Sequence, residues 1–169
     1  MNKFTRRTVI AAACAAAAMT FAPMSFAQQA PEKKDVTIAV GGKSLYYYLP
    51  LSIAEQLGYF KDEGLNVKIV DFQGGSRSLQ AVVGGSADVV SGAFEHTISM
   101  QAKKQPMTAF VLQGRAPQLA LVVSNKTMKD YKQLSDLRGK KVGVTAPGSS
   151  SQMVANFILK KGGLGPKDV

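Results

Sequence analysis

The sequence predicts an α/β protein built from parallel βαβ units, and three observations predict it. Between residues 67 and 92, an alternating apolar run meets a glycine pair, a helical stripe, a second glycine pair and a short apolar run. Residues 35–72 already show the same order of strand, loop, helix and strand. From Lys141 the pattern restarts: an apolar alternation, a Gly-Ser-rich loop, then a helix. Antiparallel hairpins would need short turns between the strands, whereas helical crossovers make neighbouring strands parallel.

Taken in order, Asp35–Val40 is the first predicted strand, and Gly41 to Tyr48 is its loop, ending in three tyrosines. Pro50 to Gly58 reads as a helix, with proline in its first turn, glycine at its end and Leu51, Ala54 and Leu57 as its stripe. Tyr59 to Leu65 is a short helical turn leading into a second strand, Val67–Phe72. Gly74 and Gly75 then let backbone approach closely, and Ser76 is placed to cap a helix with Leu79, Val82 and Val83 on one face. Gly84 and Gly85 stop that helix, and Ala87–Val90 is a third strand. A helix from Ala93 to about Lys104 follows, closed off by Pro106. Thr108–Leu112 and Leu119–Val123 read as a fourth and a fifth strand, joined by a loop carrying Arg115. Ser124 to Gly139 is polar, with a weak helix around Leu134 and Leu137. Lys141–Thr145 is a sixth strand, followed by a helix from Gln152 to Lys161 with Met153, Phe157 and Ile158 on one face. Leu164 to Val169 reads as the approach to a further strand.

In open α/β sheets the carboxyl edge of the strands holds the ligand crevice. Gly74, Gly75 and Ser76 fall on that edge, at a helix start whose unpaired N–H groups favour an anion. The same three residues also serve as a plain tight turn and cap.

Residues 1–27 are read as a signal peptide. Lys3, Arg6 and Arg7 form a basic start without acids, residues 8–22 are apolar and alanine-rich, and Ser25 and Ala27 are the small residues that precede cleavage. Cleavage is expected after Ala27, with Sec export favoured over the twin-arginine route that Arg6 and Arg7 suggest. Cys14 lacks the aliphatic residue that a lipobox prefers before it. Residues 28–35 are a polar leader.

Loss of the three basic residues lowers the formal charge from +10 to +7 and takes the chain's one cysteine with it. Disulfides, thiol nucleophiles and cysteine-metal sites are thereby excluded. A single histidine, His96, excludes a multi-histidine metal site. The lysines are scattered in pairs at element ends, which argues against nucleic acid. No cofactor or metal is expected.

The order Tyr48-Leu49-Pro50-Leu51, Gly58 to Leu65, Gly74 to Val89, and Leu137 to Val144 resembles the periplasmic substrate-binding proteins of the nitrate, sulfonate, taurine and thiamine-precursor importers. The resemblance spans Val36 to Val169. It implies a periplasmic-binding-protein-like fold of type II, in which two α/β lobes close on a ligand. It places lobe one at residues 36–124, a connection at 125–139 and the start of lobe two at 140–169. A lobe of ordinary domain size needs on the order of 100 residues, so the chain is expected to be an N-terminal piece or a truncated product.

The resemblance also implies cleft loops. The first holds Ser44, Tyr46 and Tyr48, whose rings either cover a ligand or pack into the core. The second is Gly74, Gly75 and Ser76. The third is Gly92, Phe94 and Glu95; a carboxylate at a helix start is favourable with or without a ligand. Gly148, Ser149 and Ser150 form a second helix start, and Arg115 lies at the same edge unless it pairs on the surface. His96 is expected on the helix surface.

The implied function is a monomeric, non-enzymatic protein that delivers a small anionic molecule to the permease of an ABC importer. A cytoplasmic thiamine-pyrimidine synthase and a receptor sensor domain are the rival readings. The signal peptide and the missing acid–base cluster argue against the synthase, and no second hydrophobic span supports the sensor.

Overall fold

The computed structural model describes residues 30–169. The expected signal peptide, with its expected cleavage point after Ala27, and Cys14 lie outside the described residues. Three parallel strands, β1 (Asp35–Val40), β2 (Asn66–Asp71) and β3 (Val89–Val90), form one sheet in the order β2-β1-β3. Asp35 pairs with Asn66 and Val40 with Asp71, while Ile38 and Ala39 pair with Val89 and Val90. The architecture is therefore α/β with a parallel sheet, as the βαβ patterning indicates.

The first crossover runs through a 3₁₀ turn at Tyr46–Tyr48, helix α1 (Leu49–Gln56) and the single turn α2 (Tyr59–Asp62). The second is α3 (Gly75–Val83). The remaining helices are α4 (Glu95–Ala102) and α5 (Ser150–Lys161), with a 3₁₀ turn at Leu134–Leu137 between them. No helix among the described residues is long and apolar enough to cross a membrane.

Strand β1 is central and buried on both faces, as a parallel strand should be. Ile38 and Val40 pack with Tyr48 and Leu51 on the face that α1 and α2 cover. Ala39 packs with Ala81 and Ala87 on the opposite face, under α3. These alanines are small enough to let α3 approach the sheet. The buried side of α3 is Ser78, Leu79 and Ala81; Val83, expected in the stripe, is 45% exposed. Ser78 fits there because its hydroxyl donates to the Gly75 carbonyl at 2.9 Å.

Ser76 lies within α3 and does not cap it; Gly74 holds the cap position with φ 88° and ψ 159°. That region of backbone space is essentially closed to residues with a Cβ. The Gly84–Gly85 stop forms as expected, with Gly85 left-handed at φ 76° and its N–H donating to Val82.

Three expected strands do not form. Residues 108–112, 119–123 and 141–145 are extended or irregular and join no ladder among the described residues. A strand exists only where a neighbour accepts and donates its backbone hydrogen bonds. Of the two outer strands, β3, the one these residues follow in the chain, is only two residues long and offers little edge to pair with. Phe110 and Leu112 are 74% and 75% exposed, and Ser91 Oγ donating to Gln113 Oε1 ties this stretch to the end of β3. Leu164 to Val169 likewise forms turns.

Around α5 a separate small core gathers Leu137, Leu159 and Leu164, with Leu121, Val123 and Tyr131 against it. The buried stripe of α5 is Ala155 and Leu159, not Met153 and Phe157, which are 48% and 59% exposed. Phe157 is instead covered by the Lys161 ammonium, 4.9 Å from its ring centroid.

Candidate functional site

The loop after β1 is held by three hydrogen bonds. Asp71, at the end of β2, accepts the N–H groups of Gly42 and Lys43 at 2.7 and 2.9 Å. The buried Tyr48 hydroxyl accepts the Gly41 N–H at 3.0 Å. Gly41 needs its missing side chain: a Cβ there would lie 2.4 Å from the Gly74 carbonyl carbon and the Gly75 nitrogen. The loop therefore lies directly on the start of α3.

A third loop closes on the same point. A Cβ on Gly74 would meet the Ala146 Cβ at 3.1 Å and the Thr145 carbonyl at 3.3 Å. One on Gly75 would meet His96 Nε2 at 3.3 Å. The starts of α3 and α5 and the first turn of α4 thus converge on the Gly74–Gly75 pair.

A cavity of about 850 Å³ opens where they meet, inside the size range of ordinary small-molecule sites. Of the residues expected at a cleft, Tyr46, Tyr48, Gly75, Gly92, Phe94 and Glu95 line it. Arg115, Ser149 and Ser150 line it from the later part of the chain. Ser44, Gly74, Ser76 and Gly148 are not on its wall. Lys43, beside Ser44, is drawn to Glu55 at 2.8 Å.

The three tyrosines divide their roles. Tyr48 is 4% exposed and belongs to the core, Tyr47 meets it edge-on at 5.0 Å between centroids, and Tyr46 is 88% exposed beside the cavity. Burial raises the Tyr47 pKa, and the Tyr48 and Glu95 charges add to the rise. Burial also raises that of Tyr48, opposed by the Gly41 N–H. Both phenols stay protonated at neutral pH.

At the start of α5, Ser149 caps the helix by accepting the Gln152 N–H. Its hydroxyl lies 2.8 Å from Ser151 Oγ, which also accepts the Thr145 N–H at 2.9 Å and lies 2.8 Å from Thr145 Oγ1. The hydroxyls mainly satisfy one another and fix the loop. Of the first N–H groups of the helix, that of Gln152 is taken by the Ser149 cap, and those of Ser150 and Ser151 have no intrahelical acceptor.

Glu95 opens α4, and neither it nor Arg115 has an ion-pair partner among the described residues. The cavity wall therefore carries one carboxylate and one guanidinium, neither in an ion pair. No cluster of metal-ligating side chains occurs among the described residues.

His96 corrects the expectation of a surface residue. It is 5% exposed, and its Nε2 has no hydrogen-bond partner. Its signal in sequence is the spacing to Met100, one helical turn later and also buried. Burial lowers its pKa, with Glu95 pulling the other way. Leaving such a group unsatisfied costs about 1–3 kcal/mol. Tyr47 and Ser151, which lie in the expected cleft loops, also line the cavity, and His96 and Thr145 are wall residues beyond those loops.

The model of the NMT1/THI5-like family matches residues 46–169. The chain belongs to this family. Among NMT1/THI5-like relatives, the 4-amino-5-hydroxymethyl-2-methylpyrimidine phosphate synthase of Schizosaccharomyces pombe is 26% identical over 79% of this chain and 37% of its own length. YtlA of Bacillus subtilis, named as a candidate binding protein, is 26% identical over all of this chain and 50% of its own. A solved structure from Bordetella bronchiseptica RB50 is 66% identical, with a TM-score of 0.78, over 81% of this chain and 43% of that one. The chain thus spans half or less of the length of these relatives. Membership agrees with the superfamily that the motifs resemble.

Proposed function

We propose that this chain is an exported, non-enzymatic solute-binding protein. In this reading it captures a small anionic organic molecule, of sulfonate or carboxylate type, in a cleft between two lobes. It then hands the ligand to the permease of an ABC importer. The observation that carries the reading is the shared wall: Arg115 and the N-terminus of α5 face the same cavity as Tyr46 and Phe94. A cation and helix N–H groups suit an anionic head, and aromatic rings suit the ligand's body. Glu95 on that wall suits an added amine, so a zwitterion such as taurine satisfies both charges. The family's binding-protein relative supports the same role.

Calorimetry against matched sulfonates, carboxylates, amines and neutral pyrimidines tests it. A sulfonate or carboxylate should bind, and Arg115→Ala should weaken it by roughly tenfold to a hundredfold, the range for a charged hydrogen bond. Tight binding of a neutral compound, unaffected by Arg115→Ala or Ser149→Ala, rejects it. Export is tested separately, by finding Gln28 at the mature N-terminus.

The synthase relatives favour a second reading, a thiamine-pyrimidine precursor ligand or a synthase-like activity. It predicts that the neutral pyrimidine outcompetes the anions.

A further inference from the structure

We propose that the lysine-rich surface of residues 124–169 is a docking face for an anionic phospholipid membrane, with the Phe157 ring entering the headgroup layer. The inference is independent of what the cavity binds.

Charge is unevenly divided along the described chain. Residues 30–123 hold nine basic and eight acidic side chains, a net charge of +1. Residues 124–169 hold nine basic and three acidic ones, a net charge of +6. Such asymmetry within one chain points to an anionic partner. All nine basic residues of the second stretch are exposed. Two of its three acids are engaged by the fold: Asp136 accepts the Lys132 and Gln133 N–H groups, and Asp168 accepts the Gly165 N–H and pairs with Arg138. The other eight basic residues are lysines, and none makes an ion pair among the described residues.

The three-leucine core gathers these lysines. The Gly139 N–H donates to the Asp168 carbonyl at 2.7 Å, which brings the chain at Lys140 and Lys141 to the chain at Lys167. An added Cβ on Gly162 would stand 2.5 Å from the Leu134 Cβ. The end of α5, with Lys160 and Lys161, therefore lies against the 3₁₀ turn that follows Lys132.

Two features favour a membrane over a nucleic acid or a folded acidic protein. The unpaired cations are lysines, compact point charges on flexible stems. They suit a diffuse layer of phosphates and lack the fork that reads a fixed pair of acceptors. The second feature is Phe157, 59% exposed on α5, with the Lys161 ammonium 4.9 Å from its ring centroid. Lysine beside an exposed aromatic ring is the pairing used by helices that lie in a headgroup layer. At the membrane the ammonium turns to a lipid phosphate and the ring to the acyl boundary.

The test is vesicle flotation with the chain from Gln28, so that residues 1–27 contribute nothing. Mixed phosphatidylglycerol and phosphatidylcholine vesicles are compared with phosphatidylcholine alone, at low salt and at about 0.15 M salt. The chain should bind the mixed vesicles and not the neutral ones, and bind less as salt rises. Lys160→Glu with Lys161→Glu should weaken binding by about tenfold or more, and Lys140→Glu with Lys141→Glu by a similar factor. Lys103→Glu with Lys104→Glu, a reversal at the end of α4, makes the same change in net charge and separates location from total charge. It should alter binding by less than about threefold. The chain has no tryptophan, so Phe157→Trp supplies a single reporter, whose emission should shift to the blue on anionic vesicles. No binding to the anionic vesicles at low salt, equal effects of the reversals in the two stretches, or unshifted emission from bound F157W overturns the proposal. Tighter binding to a DNA duplex than to the vesicles at the same salt overturns it too, and makes the surface a nucleic-acid face.

Discussion

Residues 35–104 and residues 107–169 carry the same alternation of extended and helical patterns, yet only the first region builds a sheet. In the first, β1 has a parallel neighbour on each side and buries Ile38, Ala39 and Val40. In the second, residues 108–112 carry Phe110, Val111 and Leu112 at 65–75% exposure and make no backbone hydrogen bond among the described residues. What the second region does build is local: α5, a 3₁₀ turn and the three-leucine core between them. A helix satisfies its own backbone, whereas a strand depends on residues far away in sequence. The candidate cavity takes its wall from both regions.

The largest expected effect tests whether the second region's core stands by itself. Leu159 is 1% exposed and central to that core. Leu159→Ala should cost about 2–5 kcal/mol. Hydrogen exchange should then show α5 opening while the β1 amides keep their protection. Loss of β1 protection in parallel would mean that the two regions fold as one unit.

In the first region the corresponding change is Val40→Thr. Val40 is fully buried, at 0% exposure, and its surroundings are apolar. An unpaired hydroxyl there should cost about 1–3 kcal/mol, read as a lower urea midpoint. No loss of stability would contradict the buried position of β1.

Acid should separate the regions more gently. Lys33, with the Thr37 N–H, holds the Asp88 carboxyl below the usual range. In the second region the Lys132 and Gln133 N–H groups do the same for Asp136, and the Gly165 N–H, aided by Arg138, does so for Asp168. A lowered carboxyl pKa stabilises the fold above the unfolded value and ceases to do so as pH falls through the folded value. From about pH 4 downward, the second region loses two such clips and the first loses one. Exchange in residues 132–138 and 165–168 should therefore accelerate before exchange at β1. The reverse order would place the weaker region at the sheet.

The fold was legible in sequence where pattern and partner coincide. Asp35–Val40 and the Gly84–Gly85 stop are local signals that the sheet and α3 then satisfy. The alternation at residues 108–112 and 119–123 is just as clear, but periodicity reports a strand's faces and not its neighbours. At the cavity, the loops bearing Tyr46, Gly75, Glu95 and Ser149 could be located from the carboxyl-edge rule, because topology fixes which loops share an edge. Ser76 and Gly148 were misplaced by one residue or so, since position on a wall depends on how a helix start is rotated. His96 was hidden for a different reason: its ring lies against Gly75, a contact that no local window around the histidine contains.

The smallest expected effect is the sharpest check on the contrast, because it repeats one chemical change where the environment differs. Val122→Thr swaps the same methyl for the same hydroxyl as Val40→Thr, at a residue 85% exposed. If residues 119–123 were a buried strand, the two substitutions would cost alike. In the structure water already reaches Val122, so the new hydroxyl is hydrated in both folded and unfolded chains. Its cost should stay within about 0.5 kcal/mol, with no change in the exchange of Leu121 and Val123, which flank it and pack toward Leu159. A loss comparable to Val40→Thr would show that this stretch is buried in solution, and the division into a sheet-building and a helix-building region would have to be redrawn.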